Sequence, residues 1–203
     1  MEDDIYIQGS LNKYLDDLAA KMPAPGGGSA SALTAALGVS LVIMVLNYTI
    51  GKEKFKEFEG ELNDALNSAK DLKEKLTLLI DKDVQAYKAL SETFKSQDGT
   101  VKEKALKDAA GVPIEICNYS FQAMKLCCGI MDKTNKNLIS DIAVAAELLS
   151  SAYYSALYNI KINLNSIKDA DFVSNIRKAT DAQTKDIVKI KKNIIDFSNK
   201  GLR

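Results

Sequence analysis

The sequence predicts an all-α fold: a single-domain bundle of about five to six helices over residues 1–203, with one buried apolar helix and one long amphipathic helix. Three observations carry that expectation. The 203-residue chain has three prolines, no tryptophan and abundant Ala, Leu, Lys, Asn and Ser, a helix-rich composition with few strand signals. Between Phe55 and Leu79 apolar residues recur in alternating steps of three and four, the seam of a helix packed on others. Between Lys21 and Lys52 there is no charge at all, and residues 30–46 are almost continuously apolar or small.

The first helix fits residues 10–21, with Ser10 as N-cap and Leu11, Leu15, Leu18 and Ala19 at helical spacing. A loop over 22–28 ends it. The uncharged helix then runs from about residue 29 to residue 50, where Gly51 punctuates it. Its length would suit a membrane span. It begins with Pro-Ala-Pro-Gly-Gly-Gly, however, is diluted by Ser29, Ser31, Thr34, Gly38 and Ser40, and has no counterpart elsewhere in the chain. A helix buried on all sides is therefore expected, and no membrane partner.

Residues 53–94 hold the long helix. Its seam of Phe55, Phe58, Leu62, Ala65, Ala69, Leu72, Leu76 and Leu79 continues to Asp83, Ala86 and Leu90, so a carboxylate sits on the packed side. Asp81, two residues earlier and nearly opposite at about 100° per residue, reads as a solvated surface charge. Residues 97–100 read as a turn, and 101–129 as helix interrupted near Gly111-Val112-Pro113, where proline removes an N–H and forces a kink or a restart. After a polar loop at 132–137, a helix over 138–167 has the seam Leu138, Ile142, Ala145, Leu149, Ala152 and Ala156, which extends to Asn159 and Asn163. The last helix, over 171–198, shows Phe172, Ile176, Ala179, Ile187, Ile190, Ile194 and Phe197. No linker or internal repeat divides the chain.

Charge and composition narrow the chemistry. Lys plus Arg and Asp plus Glu both total 27, so phosphate backbones and anionic lipid meet no global attraction, and nucleic acid is not an expected partner. The absence of His removes the commonest general base, the commonest zinc ligand and every Ser-His or Cys-His pair. Proton chemistry falls to Asp, Glu, Lys, Tyr or Cys. The three cysteines, with Cys127 and Cys128 adjacent and no CxxC, read as core filler, and no metal site is expected. Together with an acidic start at 1–7 that lacks the regions of a secretory signal, they make the cytoplasm the expected compartment.

Three features stand out as candidates for chemistry. Gly26, Gly27, Gly28 and Ser29 open an apolar helix; such glycines permit positive φ and close approach of a ligand, and the helix N-terminus offers unpaired N–H groups to an anion or a carbonyl oxygen. The plain alternative is a tight connection with Ser29 as N-cap, and no Gly-Lys-Ser/Thr follows to make a Walker loop. Asp83 on a buried seam must bond, pair or hold a proton near neutral pH, which suits a general acid as well as a structural aspartate bonded to a helix end. Ser140 and Asp141 suit a helix start, and Asn159 and Asn163 either read the donor-acceptor edge of a heterocycle or serve as interhelical polar contacts.

The run 15–20, Leu-Asp-Asp-Leu-Ala-Ala, leads into 23–30, Pro-Ala-Pro-Gly-Gly-Gly-Ser-Ala. With 78–87, Leu-Leu-Ile-Asp-Lys-Asp-Val-Gln-Ala-Tyr, 137–141, Asn-Leu-Ile-Ser-Asp, and 159–163, Asn-Ile-Lys-Ile-Asn, it resembles the cyclodeaminase/cyclohydrolase family of folate enzymes over essentially the whole chain. The resemblance implies an all-helical homodimer with a folate site, a tetrahydrofolate derivative as substrate and no prosthetic group. It implies two reactions. In cyclodeamination, N10 of 5-formiminotetrahydrofolate attacks the formimino carbon, ammonia leaves and 5,10-methenyltetrahydrofolate forms. In cyclohydrolysis, water opens the methenyl ring to 10-formyltetrahydrofolate.

Residue by residue, Asp83 matches the aspartate of the family's Asp-x-x-Ala-aromatic pattern, the position that the seam also selects. Gly26, Gly27, Gly28 and Ser29 match the Gly-rich loop, and Ser140, Asp141, Asn159 and Asn163 match polar positions assigned to the pterin. Lys136 and Leu138 depart from the usual form of the third motif, where proline and a smaller residue are frequent. The cyclodeaminase is the leading expectation and the cyclohydrolase its alternative. A non-enzymatic helical interaction protein, with Asp83 as a register-setting polar residue, is the distant one.

Overall fold

The computed structural model describes residues 5–96 and 98–202. The acidic start at 1–4 and the first position of the turn at 97–100 lie outside the described residues. Six α-helices make up the bundle: α1 (Leu11–Ala19), α2 (Gly27–Asn47), α3 (Glu59–Glu92), α4 (Gly99–Ile130), α5 (Ile139–Leu164) and α6 (Ala170–Gly201). Single 3-10 turns lie at Tyr6–Gln8, Thr93–Lys95 and Lys136–Leu138, and a longer one at Glu53–Phe58 leads into α3. There is no strand among the described residues.

Local chemistry sets three of the six helix starts. The Ser10 hydroxyl accepts from Lys13 N, the Asp98 carboxylate from Thr100 N, and the Asp169 carboxylate from Phe172 N, each filling an orphan donor of a first turn. Gly51, at φ +80°, ends the turn after α2 in the left-handed region that glycine adopts without a Cβ clash.

Packing follows the predicted seams. Helix α2 lies between α3 and α5, α4 packs on α3 and α5, and α6 rests on α4 and α5. Leu62, Ala69, Leu72, Leu76 and Leu79 of α3 are buried with Ile142, Ala145, Leu149, Ala152 and Ala156 of α5. Gly38 permits the tight α2–α5 approach: a Cβ there would stand 2.9 Å from Leu149 Cγ and 3.3 Å from the Ala145 carbonyl. Cys117 and Cys127 are core residues, as expected, with burial pushing both thiols up to about 12.

Five expectations are corrected. In α1 the start of the leucine stripe faces outward, Leu11 and Leu15 being 63% and 49% exposed, while Tyr14 enters the core and Leu18 packs against it. Helix α2 is long and apolar enough to cross a membrane, yet it is not buried on all sides: Ala32, Ala35, Val39, Val42 and Leu46 face the bundle while Leu37 and Ser40 are exposed. Helix α4 is not interrupted; it continues through Pro113, whose neighbours Val112 and Ile116 are packed in the core. In α6 the buried position is Thr180 instead of Ala179, its hydroxyl bonding back to the Ile176 carbonyl. Asp81 is no surface charge: it is 7% exposed and its Oδ1 accepts from Tyr6 N at 2.8 Å, fastening the N-terminal segment to α3.

Candidate active site

Helix α2 lacks a side-chain cap of its own, because its N-cap is Gly26. The missing acceptor comes from α3: Asp83 Oδ2 accepts from Ser29 N at 2.9 Å. Ser29 is therefore the third residue of the helix and contributes its N–H, not an N-capping hydroxyl. The approach is possible only because residue 28 is glycine, since a Cβ there would stand 2.0 Å from Asp83 Oδ1. The glycines thus serve close approach, and none of Gly26, Gly27 or Gly28 takes a positive φ.

Behind this contact Ser29 is fully buried, and its hydroxyl lies 3.2 Å from the Tyr14 hydroxyl. Tyr14 stacks edge-on against Tyr6, whose N–H is held by Asp81. The N-terminal segment, α1, the glycine turn and α3 are thereby linked through two aspartates with different roles. Asp81 fixes backbone. Asp83 stands half-buried at the wall of a cavity of about 210 Å³, where burial lifts its carboxyl above the ordinary carboxylate range and the Ser29 N–H pulls it partly back.

The cavity brings Gly26, Gly27, Gly28, Asp83, Asn159 and Asn163 together. Asn159 approaches the glycine turn so closely that a Cβ on Gly27 would lie 3.6 Å from its Nδ2. One Asn159 amide hydrogen returns to the Ser155 carbonyl at 3.0 Å, which fixes the amide's orientation on α5. A half-buried carboxyl that can hold a proton, beside amide groups able both to donate and to accept, can move a proton at a reacting centre while fixing a polar heterocycle.

Ser140 and Asp141 do not join this cluster within the chain. They occupy the first turn of α5, and Asn159 stands 18 residues further on from Asp141, about 27 Å along the axis at 1.5 Å per residue. Reading the sequence missed Tyr14, Tyr87 and Ala109. Tyr14 has a signal, since Tyr14 and Leu18 form an i, i+4 pair as good as the leucine stripe. Tyr87 closes the wall four residues after Asp83, a spacing open to inspection. Ala109, also lining the cavity, is the residue whose carbonyl loses its helical N–H partner to Pro113.

Comparison with known proteins supplies the family and a matching fold. The family model of formiminotransferase-cyclodeaminase matches residues 10–182. The methenyltetrahydrofolate cyclohydrolase of Methylorubrum extorquens is 35% identical over 172 residues, 80% of this chain and 83% of that protein. The formimidoyltransferase-cyclodeaminase of Mus musculus is 29% identical over 175 residues, 82% of this chain but 32% of that longer protein. The crystal structure of formiminotetrahydrofolate cyclodeaminase from Thermotoga maritima superposes with a TM-score of 0.93 at 26% identity, covering 97% of this chain and 98% of that one. This chain belongs to the formiminotransferase-cyclodeaminase family.

Proposed function

We propose that this family member is a folate one-carbon enzyme that cyclises 5-formiminotetrahydrofolate to 5,10-methenyltetrahydrofolate with release of ammonia. The observation that carries the reading is the half-buried Asp83 carboxyl, held against the Gly28–Ser29 backbone in a cavity that it shares with Asn159 and Asn163. In this reading N10 attacks the formimino carbon and a tetrahedral carbon forms between N5 and N10. With the formimino group entering as its protonated cation, neutral Asp83 gives its proton to the departing nitrogen, which leaves as ammonia, and the carboxylate left behind takes the N10 proton. Gly26, Gly27 and Gly28 face the reacting carbon, Ser29 acts from behind them through the N–H that holds Asp83, and Asn159 and Asn163 pair with the pterin edge. Ser140 and Asp141, at the far end of α5, are left out of the pterin site of their own chain. The tetrahydrofolate derivative is the substrate, and the reading calls for no prosthetic group because N10 is itself the nucleophile.

A second reading is the cyclohydrolase, favoured by the 35% identity to a methenyltetrahydrofolate cyclohydrolase of which this chain covers 83%. There water attacks the methenyl carbon, Asp83 gives its proton to N5 as the ring opens and takes one from the attacking water in its place, and the second water proton passes to solvent. Both readings treat residues 1–203 as one domain. A homodimer and a cytoplasmic setting are part of the proposal. The dimer is supported by the exposed Leu11, Leu37 and Leu78, which border two shallow grooves sharing Ile7, Ser40 and Thr77. The compartment is supported by three free cysteines.

Absorbance of the methenyl chromophore tests the reaction. Growth of the band on 5-formiminotetrahydrofolate, with ammonia released, establishes the cyclodeaminase, and faster decay of the band on 5,10-methenyltetrahydrofolate than in buffer establishes the cyclohydrolase. No change with either substrate leaves the helical interaction protein as the reading to pursue.

A further inference from the structure

The cavity holding Asp83 does not end at Asn163. Leu90 and Asn163 also wall an adjoining groove of about 400 Å³. Three helices change character in the same order along it. On α3, Asp83 gives way to Leu90, about 10 Å along the axis, and then to Phe94 just past the helix end. On α4, running back toward its start, Ala109 is followed by Leu106 and then Lys102. On α5, Asn163 is followed by Ser166 and then by Lys168 in the connection to α6. Polar cavity, apolar passage and cationic end therefore succeed one another.

The cationic end has charge to offer. Neither Lys102 nor Lys168 is in an ion pair among the described residues, whereas Lys107 nearby is taken by Asp169. The Lys102 ammonium lies 5.7 Å from the centre of the Phe94 ring, so it stands beside the apolar passage. Glu103, the acidic residue on this groove, is already engaged: its carboxylate accepts from Lys168 N at 2.9 Å and Asp169 N at 3.1 Å, which also fixes the turn that presents Lys168. Lys161, on the same helix as Asn163, lines neither the cavity nor the groove.

We propose that this groove binds the p-aminobenzoyl-glutamate tail of the substrate, with the aryl ring between Leu90, Phe94 and Ile162 and the glutamate carboxylates at Lys102 and Lys168. The inference rests on the folate reading above. A pterin placed against Asp83, Asn159 and Asn163 sends its p-aminobenzoyl ring past Leu90 into the adjoining groove, and the order of apolar and cationic walls is the order of ring and carboxylates in the tail.

The test removes the partner from each side in turn. Methenyltetrahydrofolate and its tail-shortened analogue methenyltetrahydropteroate, which lacks the glutamate, are compared on the wild-type protein, on the double variant Lys102→Ala/Lys168→Ala and on Lys161→Ala. Each compound is followed by equilibrium binding and, where it is turned over, by the methenyl assay. Expected are a KM or Kd at least about tenfold higher for the pteroate on the wild type, and a similar rise for the folate on the double variant with kcat kept. The pteroate is expected to be bound equally by both proteins, and Lys161→Ala to match the wild type. Both lysines are exposed, so the double variant should melt like the wild type. A double variant that weakens folate and pteroate equally, or weakens neither, overturns the tail site while the folate reading stands. If the wild type neither binds nor turns over either compound, the folate reading fails and the tail site falls with it.

Discussion

The Asp83 carboxylate occupies the space a side chain on Gly28 would need: a Cβ there would lie 2.0 Å from Oδ1, 2.5 Å from Cγ and 2.7 Å from Oδ2. At Gly26, two residues earlier, a Cβ would meet nothing within 4 Å. Gly28→Ala is therefore expected to drive Asp83 from the Ser29 N–H and to lower kcat by at least about a hundredfold, the range for losing a placed acid or base. Thermal melting of Gly26→Ala is expected to match the wild type, and a Gly28→Ala enzyme with normal turnover would remove the close contact from the argument.

The two aspartates separate chemistry from anchoring. Asp83→Asn keeps an oxygen for Ser29 N and is expected to fold while losing about a hundredfold or more in kcat. Asp81→Asn replaces an acceptor pair for Tyr6 N and Ile7 N, and is expected to cost about 1–2 kcal/mol in a denaturant melt with a smaller loss of turnover. Equal losses of kcat in both variants, or the reverse order, would show that the cavity carboxylate is structural.

The pH profile follows from the direction of the Asp83 shift. Burial favours its neutral form, so the proton it donates to the leaving atom is present below its folded pKa and lost as pH rises through it. The rate is expected to fall along one ionisation above the ordinary carboxylate range, and Asp83→Asn to lack that limb. Stability carries the same sign, the contribution being full below the unfolded pKa and lost through the folded one. A flat rate from about pH 5 to 9 would count against Asp83 as the rate-limiting acid.

Gly38 and Gly111 should respond to alanine in opposite directions. Alanine is the better helix former by about 0.5–1 kcal/mol, and at Gly111 nothing lies within 4 Å of the new Cβ, so Gly111→Ala is expected to raise the melting temperature. At Gly38 the Cβ meets Leu149 Cγ at 2.9 Å, and pushing α2 from α5 is expected to cost about 1–3 kcal/mol. Denaturant midpoints of the two variants read the difference directly.

The seams were legible in the sequence because a helix repeats its core side every three to four residues whatever it packs against. That periodicity alone set the all-α class, the long α3 and α5, and Asp83, Asn159 and Asn163 on their packed sides. It could not decide which of two plausible stripes on the nine-residue α1 enters the core; the fixed position of Asp81 under Tyr6 chose Tyr14 over Leu11 and Leu15. Nor could it show that Asp83 caps a different helix, or that Asn159 of α5 comes to stand beside Gly27. Those facts depend on which helix ends meet across the bundle, a relation between residues 54 or more positions apart that no local repeat encodes, and that only the packing of α2 between α3 and α5 supplies.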